Sequence, residues 1–227
     1  MAAPEQLVLD LGHRPALGAE DFLVGHSNAA AVALIDAWPD WPAPSAVVIG
    51  PPRSGKTHLA HVWQVQSGAS IVSAADLSDA TVEQLESIGA LVVEDLDAGI
   101  ACERTLFHLL NLSREHRAGL LLTSAVPPGD LAVTLPALRS RLRAAAMVSI
   151  AAPDDGLLRA VLVKHFADRQ LIVDPNVIAW LLRNMDRTMA DAARVVEAID
   201  RLALSSHRKV TRALAADALA RLRSEAP

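Results

Sequence analysis

The stretch Gly50-Pro51-Pro52-Arg53-Ser54-Gly55-Lys56-Thr57 decides the fold. It satisfies the pattern G-x-x-x-x-G-K-[ST] in full, and it lies where that pattern has physical meaning. Ala46-Val47-Val48-Ile49 before it is a short apolar run that reads as a buried strand. A helix is expected after it, from about 56 to 66. Glycines let the backbone wrap a phosphate with its N–H groups turned inward. The helix that follows offers unpaired N–H groups and the positive end of its dipole. Lys56 would then reach the β and γ oxygens, and Thr57 would ligate Mg²⁺.

Working outward, Leu91-Val92-Val93-Glu94-Asp95 places two acids at the carboxyl end of a second buried strand. Beside a phosphate loop, Glu94 and Asp95 would hold Mg²⁺ through water and orient the attacking water. Further on, Gly119-Leu120-Leu121-Leu122-Thr123-Ser124 is a third strand. It ends in hydroxyls that either meet a γ-phosphate or form a turn. Arg139, Arg141 and Arg143 lie on or near a short helix starting at 135. Each reads as a solvated side chain or as a finger aimed at a neighbour's nucleotide. Arg187 opens a later helix from which it would fold back onto the phosphates, while Arg194 reads as a salt-bridge residue. His58 and His61, on the helix after the loop, make no metal site without further ligands and read as structural.

Strand–helix alternation runs through the first two thirds. Strands are expected at 46–49, 70–73, 91–94, 119–124 and 147–150, with helices near 27–37, 56–66 and 103–116. A proline-broken connector spans 38–44. Such alternation implies a parallel sheet with helices on both faces. From 151 the pattern becomes helical, about 155–169, 174–184, 188–205 and 211–223, which implies a small bundle. Residues 1–20 have no helical period and read as a flexible tail. The expected organisation is a tail (1–20), an α/β core (21–152) and a helical domain (153–227).

Composition limits the alternatives. The chain has 227 residues, 52% hydrophobic and 21% charged, so a buried core is available and wholesale disorder is excluded. No apolar run reaches the roughly 18 residues that a spanning helix needs. The start lacks the basic region of a secretory signal. Cys102 is the single cysteine, which excludes a disulfide framework and points to a reducing cytoplasm. A net charge of −5 argues against a freestanding DNA-coating protein.

Taken together these motifs resemble a AAA+ ATPase of the bacterial initiator (DnaA) clade, over roughly residues 20–225. Lys56-Thr57-His58-Leu59-Ala60 looks like that clade and places His58 with the nucleotide-binding residues. Phe22-Leu23-Val24-Gly25-His26-Ser27-Asn28 is similar to its adenine-side segment F-x-x-G-x-S-N, which implies a base contact at Val24. Leu121-Leu122-Thr123-Ser124 with Pro127-Pro128 resembles its sensor 1 and implies a phosphate-side role for Ser124. Leu138-Arg139-Ser140-Arg141-Leu142 resembles its box VII and maps the arginine finger to Arg141. Met185-Asp186-Arg187 resembles sensor 2 and maps to Arg187. The resemblance implies a five-stranded parallel AAA+ core with a helical lid and an adenine nucleotide, ADP or ATP with Mg²⁺, between them. Glu94 stands where an aspartate is usual, and Ala125 where an acid often follows the T-S of sensor 1. Both departures predict a weak ATPase at most.

Two features narrow the expectation. Neither the initiator's C-terminal DNA-binding domain beyond the lid bundle nor its N-terminal domain is expected. In their place Gln6-Leu7-Val8-Leu9-Asp10-Leu11 fits Q-L-x-L-x-L, a sliding-clamp binding motif. Gln6 would hydrogen-bond in a small polar-rimmed pocket while Leu9 and Leu11 fill a hydrophobic cleft, with Leu7 a further partner-binding residue of the motif. The combination is similar to Hda-type regulatory inactivators of DnaA. That likeness implies docking on the β clamp loaded on DNA, contact with DNA only through the clamp, and promotion of ATP hydrolysis on DnaA by Arg141 in trans. It also implies a cytoplasmic, replisome-associated regulator, with self-association open. A helicase-loader-like DNA remodeller working without the clamp and a small-molecule kinase are the other readings.

Overall fold

The computed structural model describes residues 23–206 and 208–224. The clamp motif at Gln6, Leu7, Leu9 and Leu11, like the rest of the expected tail, lies outside them.

The core begins with α1 (Ala29–Asp36) and β1 (Ser45–Ile49), followed by α2 (Lys56–Ser67) and β2 (Ser70–Ser73). It continues through α3 (Asp79–Ile88), β3 (Ala90–Glu94), α4 (Glu103–His116) and β4 (Gly119–Ser124). It ends with α5 (Pro136–Arg143) and β5 (Ala146–Ser149). All pairings are parallel, in the order β2-β3-β4-β1-β5. The strand that carries the phosphate loop therefore sits between β4 and β5, inside the sheet, with the loop at its carboxyl end.

The alternation of side chains along each strand divides the core in two. Val47, Leu91, Val93, Leu120 and Leu122 face α3, α4 and α5, packing on Leu85, Leu106, Leu109, Leu110, Leu138 and Leu142. Ala46, Val48, Val92 and Leu121 point the other way, onto Ile35, Leu59 and Trp63 of α1 and α2. Trp38, Trp41 and Trp63 close that second layer with ring centroids 4.9–5.3 Å apart. The fold class is the expected one: a five-stranded parallel α/β core with helices on both faces.

Helix α3 is an addition to the sequence reading. Of its residues only Thr81 and Leu85 are buried, so it has almost no apolar stripe to reveal it. Its start is fixed locally, where the Ser78 N–H donates to Thr81 Oγ1 at 3.2 Å.

The remaining chain forms α6 (Asp155–Asp168), α7 (Pro175–Asn184), α8 (Met189–Ser206) and α9 (Arg212–Ser224). Asp154 caps α6 by accepting from the Leu157 N–H at 2.7 Å. Asp174 caps α7 from the Asn176 N–H at 2.7 Å, with Pro175 at the first helical position. These helices bury their own apolar centre around Leu158, Leu162, Phe166, Leu181, Val195, Ile199 and Leu214. Leu23, from the segment before α1, packs against that centre and so joins core to lid. Among the described residues no helix is long and apolar enough to cross a membrane.

Candidate functional site

The phosphate loop is anchored at both flanks. The Gly50 N–H donates to the Ser124 carbonyl at 3.1 Å, and the Ile150 N–H donates to Ile49 at 2.7 Å. Inside that frame the loop is tight. A Cβ on Gly50 would stand 2.7 Å from Ser54 Oγ and 2.8 Å from the Ile150 carbonyl oxygen, so no larger residue fits there. Gly55 takes φ 101°, a left-handed turn that points the chain directly into α2. The unpaired N–H groups at the start of α2 therefore face the loop.

Lys56 is buried, and its ammonium folds back over the loop. Nζ donates to the Gly50 carbonyl at 2.8 Å and to the Pro51 carbonyl at 3.2 Å. Carbonyl oxygens there stand in for the phosphate oxygens that such a lysine serves. Two nearby oxygens are buried without a partner, Ser54 Oγ and Glu94 Oε1. A buried polar atom left unpaired is costly, so Ser54 Oγ, in the lining of the cleft, marks where a polar ligand would be welcome. The available donors are hydroxyl and carboxylate oxygens, which suit Mg²⁺. No cluster of three or more His, Cys, Asp or Glu side chains able to hold a metal occurs among the described residues. A cation here would therefore need oxygens from a nucleotide as well.

A cleft of about 530 Å³ opens over the loop. Its floor is Pro52, Arg53, Ser54, Gly55, Lys56, Thr57 and His58, with Asp95 at one side. Its other wall comes from Leu23 and from Val161, His165, Met189, Ala190 and Ala193 of the lid. Polar groups thus gather at the loop end and mostly apolar ones at the lid end. That division suits a ligand with a charged tail and a flat, weakly polar head.

The acidic strand end is tied to the neighbouring strand. Asp95 adopts a left-handed backbone at φ 57°, and its N–H donates to Thr123 Oγ1 at 3.0 Å. Asp97 continues the tie, its carboxylate accepting from the Ala125 N–H.

Not every expected residue reaches the cleft. Glu94 ends β3 half-buried, while Asp95 is the acid that lines the cavity. Ser124 is fully buried, and its hydroxyl donates to the Val126 carbonyl at 2.7 Å. Val24 packs against the α1–α2 layer, and it is Leu23 beside it that faces the cleft. Arg187 pairs with Asp155 at 2.6 Å outside the cavity. Of the three arginines near α5, Arg139 donates to the Val133 carbonyl and Arg141 donates from Nε to Asn111 Oδ1 at 3.0 Å. Arg143 is exposed. Arg194 lies in a separate lid recess with Asp186, Asp191 and Arg223. The lid residues of the cleft wall escape sequence reading because nothing but tertiary packing brings them there.

Residues 155–219 match the family model described as "Hda, lid domain". The match covers α6 to α8 and most of α9, the elements that close the cleft. The helical lid is thus similar to that of Hda, and the chain as a whole has relatives among DnaA proteins at low identity. It is 27% identical over 140 residues to the chromosomal replication initiator protein DnaA of Lachnoclostridium phytofermentans, covering 60% of this chain and 31% of that one. Among solved structures it resembles domain III of the Thermotoga maritima initiator DnaA, with TM-score 0.76 and 17% identity over 93% of this chain and 98% of that one. It also resembles AMPPCP-bound DnaA from Aquifex aeolicus, with TM-score 0.70 and 23% identity over 85% of this chain and 67% of that one. The chain spans between 31% and 50% of the length of the curated DnaA relatives it matches.

Proposed function

We propose that this chain is a DnaA-related regulator of replication initiation in the bacterial cytoplasm, which binds an adenine nucleotide between core and lid and restrains DnaA. The observation that carries the reading is the lid, which matches the Hda lid model and closes a cleft floored by a complete phosphate loop. The AMPPCP named with the Aquifex DnaA structure supports an adenine nucleotide as the occupant.

In this reading the loop amides and Lys56 hold the phosphates, and the apolar lid wall covers the base. Thr57 and Glu94 would hold Mg²⁺ through the nucleotide, the ion neutralising phosphate charge. ADP or ATP then acts as an ordering cofactor that stabilises the folded chain by mass action. Gln6, Leu7, Leu9 and Leu11 would dock on the β subunit of the sliding clamp, with DNA reached through the clamp. Arg141 would enter the nucleotide site of DnaA in trans. There its charge stabilises the γ-phosphoryl group as water attacks and the bond to ADP breaks.

The test is binding of the full chain to its cognate clamp, with Gln6→Ala alongside, followed by hydrolysis of DnaA-bound ATP with Arg141→Ala. Expected are clamp binding lost in Gln6→Ala and stimulation lost in Arg141→Ala with clamp binding intact. Clamp-independent binding to single-stranded DNA would favour a loader-like remodeller instead. Full stimulation by Arg141→Ala would overturn the finger.

A further inference from the structure

In the lid, α9 leans on α7 at both of its ends. The Arg212 guanidinium sits over the Trp180 ring, 5.6 Å from its centroid. Arg223 Nη2 donates to the Asn184 carbonyl at 2.6 Å, and the Asn184 amide donates to the Trp180 carbonyl at 2.7 Å. Arg212 and Arg223 stand about 16 Å apart along the helix axis. At about 100° per residue, Arg212, Ala216, Ala220 and Arg223 share one edge of α9, while Leu214, Ala215, Ala218 and Leu219 are buried in the lid. Asp217, the one acid of α9, is turned about 140° away from Arg212. Arg183 is exposed one turn along α7 from Trp180, and Arg208 and Lys209 are exposed just before α9.

These charges are not cancelled locally. Among the described residues no carboxylate pairs with Arg183, Arg208, Lys209, Arg212 or Arg223. α7 holds no acid; its cap Asp174 is committed to the Asn176 N–H, and Asp186 lies in the recess with Asp191. The partners of Arg212 and Arg223, a ring face and a carbonyl, orient each guanidinium and leave its charge whole. Charge is also divided between the two parts of the chain. Residues 153–224 carry 12 cations and 9 acids, whereas residues 23–152 carry 8 and 12. An anionic partner is therefore drawn to the lid rather than to the core. Between the two arginines the edge of α9 is alanine, with no pocket to select a peptide side chain. What it offers is a line of guanidinium forks, and phosphate is the acceptor that they match best. About 16 Å of duplex carries about five phosphates on each strand, at ~3.4 Å per phosphate.

We propose that the outer face of α7 and α9 binds duplex DNA through its phosphate backbone, whatever the base sequence. This goes beyond the proposed function, in which DNA is reached through the clamp: here the lid touches the duplex itself. The net charge of −5 keeps such a contact weak. It orients on the duplex a chain that is already held nearby, where the effective concentration of DNA is high.

The experiment measures binding of the full chain, without clamp, to a fluorescent duplex of random sequence, by anisotropy over a range of salt. Expected is a Kd of about 10⁻⁴–10⁻⁶ M at physiological salt, weakening with salt at a logarithmic slope of about −4. Arg212→Ala/Arg223→Ala should weaken binding at least about tenfold at low salt and flatten the slope by about two. Arg183→Ala, at an exposed position, should flatten it by about one. Arg212→Lys/Arg223→Lys keeps the charge and should keep most of the affinity. Arg201→Ala/Arg221→Ala removes the same charge from the α8 side of α9 and should bind like the wild type, as should Gln6→Ala. Absence of duplex binding at low salt overturns the inference, and so does an equal loss in Arg201→Ala/Arg221→Ala. Tighter binding to single-stranded DNA, or binding to anionic phospholipid vesicles in place of DNA, overturns the assignment to duplex. Since the assay contains no clamp, its failure is separate from a failure of clamp docking.

Discussion

Arg187 and Asp155 face each other at 2.6 Å at the entrance to the lid, both side chains more than half exposed. The pair occupies the guanidinium that the resemblance to sensor 2 assigns to a nucleotide. For Arg187 to reach a phosphate it must leave Asp155. An exposed ion pair is worth at most about 1 kcal/mol, or about fivefold in a binding constant. Asp155→Asn should therefore tighten nucleotide binding by up to about fivefold, and Arg187→Ala should weaken it. Titration with a fluorescent ADP analogue checks both, and unchanged affinity in the two variants would leave Arg187 a surface residue of the lid. The gain should shrink at high salt, where exposed charges are screened.

Lys56 tests the cleft as a whole. Its ammonium bridges the Gly50 and Pro51 carbonyls, and a phosphate would take over those bonds. Ligand at a hundred times its dissociation constant stabilises a folded chain by about 2.7 kcal/mol. For a chain of this size that raises the melting temperature by roughly 5–10 °C. Mg-ADP should produce such a shift in the wild type and none in Lys56→Ala. A shift of equal size in the variant would move the nucleotide elsewhere.

Ser54 separates folding from binding. Its hydroxyl is buried without a hydrogen-bond partner. Removing such a group takes away a desolvated atom and no bond. In urea unfolding without nucleotide, Ser54→Ala should be neutral or more stable, by up to about 1 kcal/mol. With nucleotide the order should reverse, because the hydroxyl then has a phosphate to meet. Marked destabilisation of the nucleotide-free variant would mean that the oxygen is satisfied in solution.

The residues that were legible in sequence are those whose type carries their role. β3 and β4 are continuous apolar runs because both faces of a parallel sheet are covered. The phosphate loop needs glycine at close approaches, as Gly50 against Ile150 shows. The helical pattern after 151 announces α6 and α7, whose starts Asp154 and Asp174 cap in the structure. Elsewhere the role comes from position in space. α3 buries only Thr81 and Leu85, too little for a period to register. Leu23 rather than Val24 faces the cleft because an irregular segment has no fixed side-chain period to choose between neighbours. Glu103 meets Thr134, and Asn111 meets Arg141, across about thirty residues of chain. No local pattern predicts such pairs, although they set the pose of the helix that carries Arg141.

Glu103 offers the pH test of that pose. The Thr134 N–H holds its carboxyl below the usual glutamate range, with further help from the Leu135 N–H, the Thr134 hydroxyl and the Arg139 charge, against a smaller opposing effect of burial. A carboxyl lowered in the folded state stabilises that state above its unfolded value, about 4.3. The contribution is lost as pH falls through the lowered folded value. Glu103→Gln keeps one acceptor but loses the charge and meets the same N–H groups with an amide. Wild type should therefore be the more stable of the two at neutral pH. The difference should persist down to about pH 4 and close below it, as the wild-type carboxyl takes up its proton. Urea midpoints measured for both proteins across that range check the sign. A gap that widens on acidification would mean that Glu103 is held in its protonated form, which its three donors forbid.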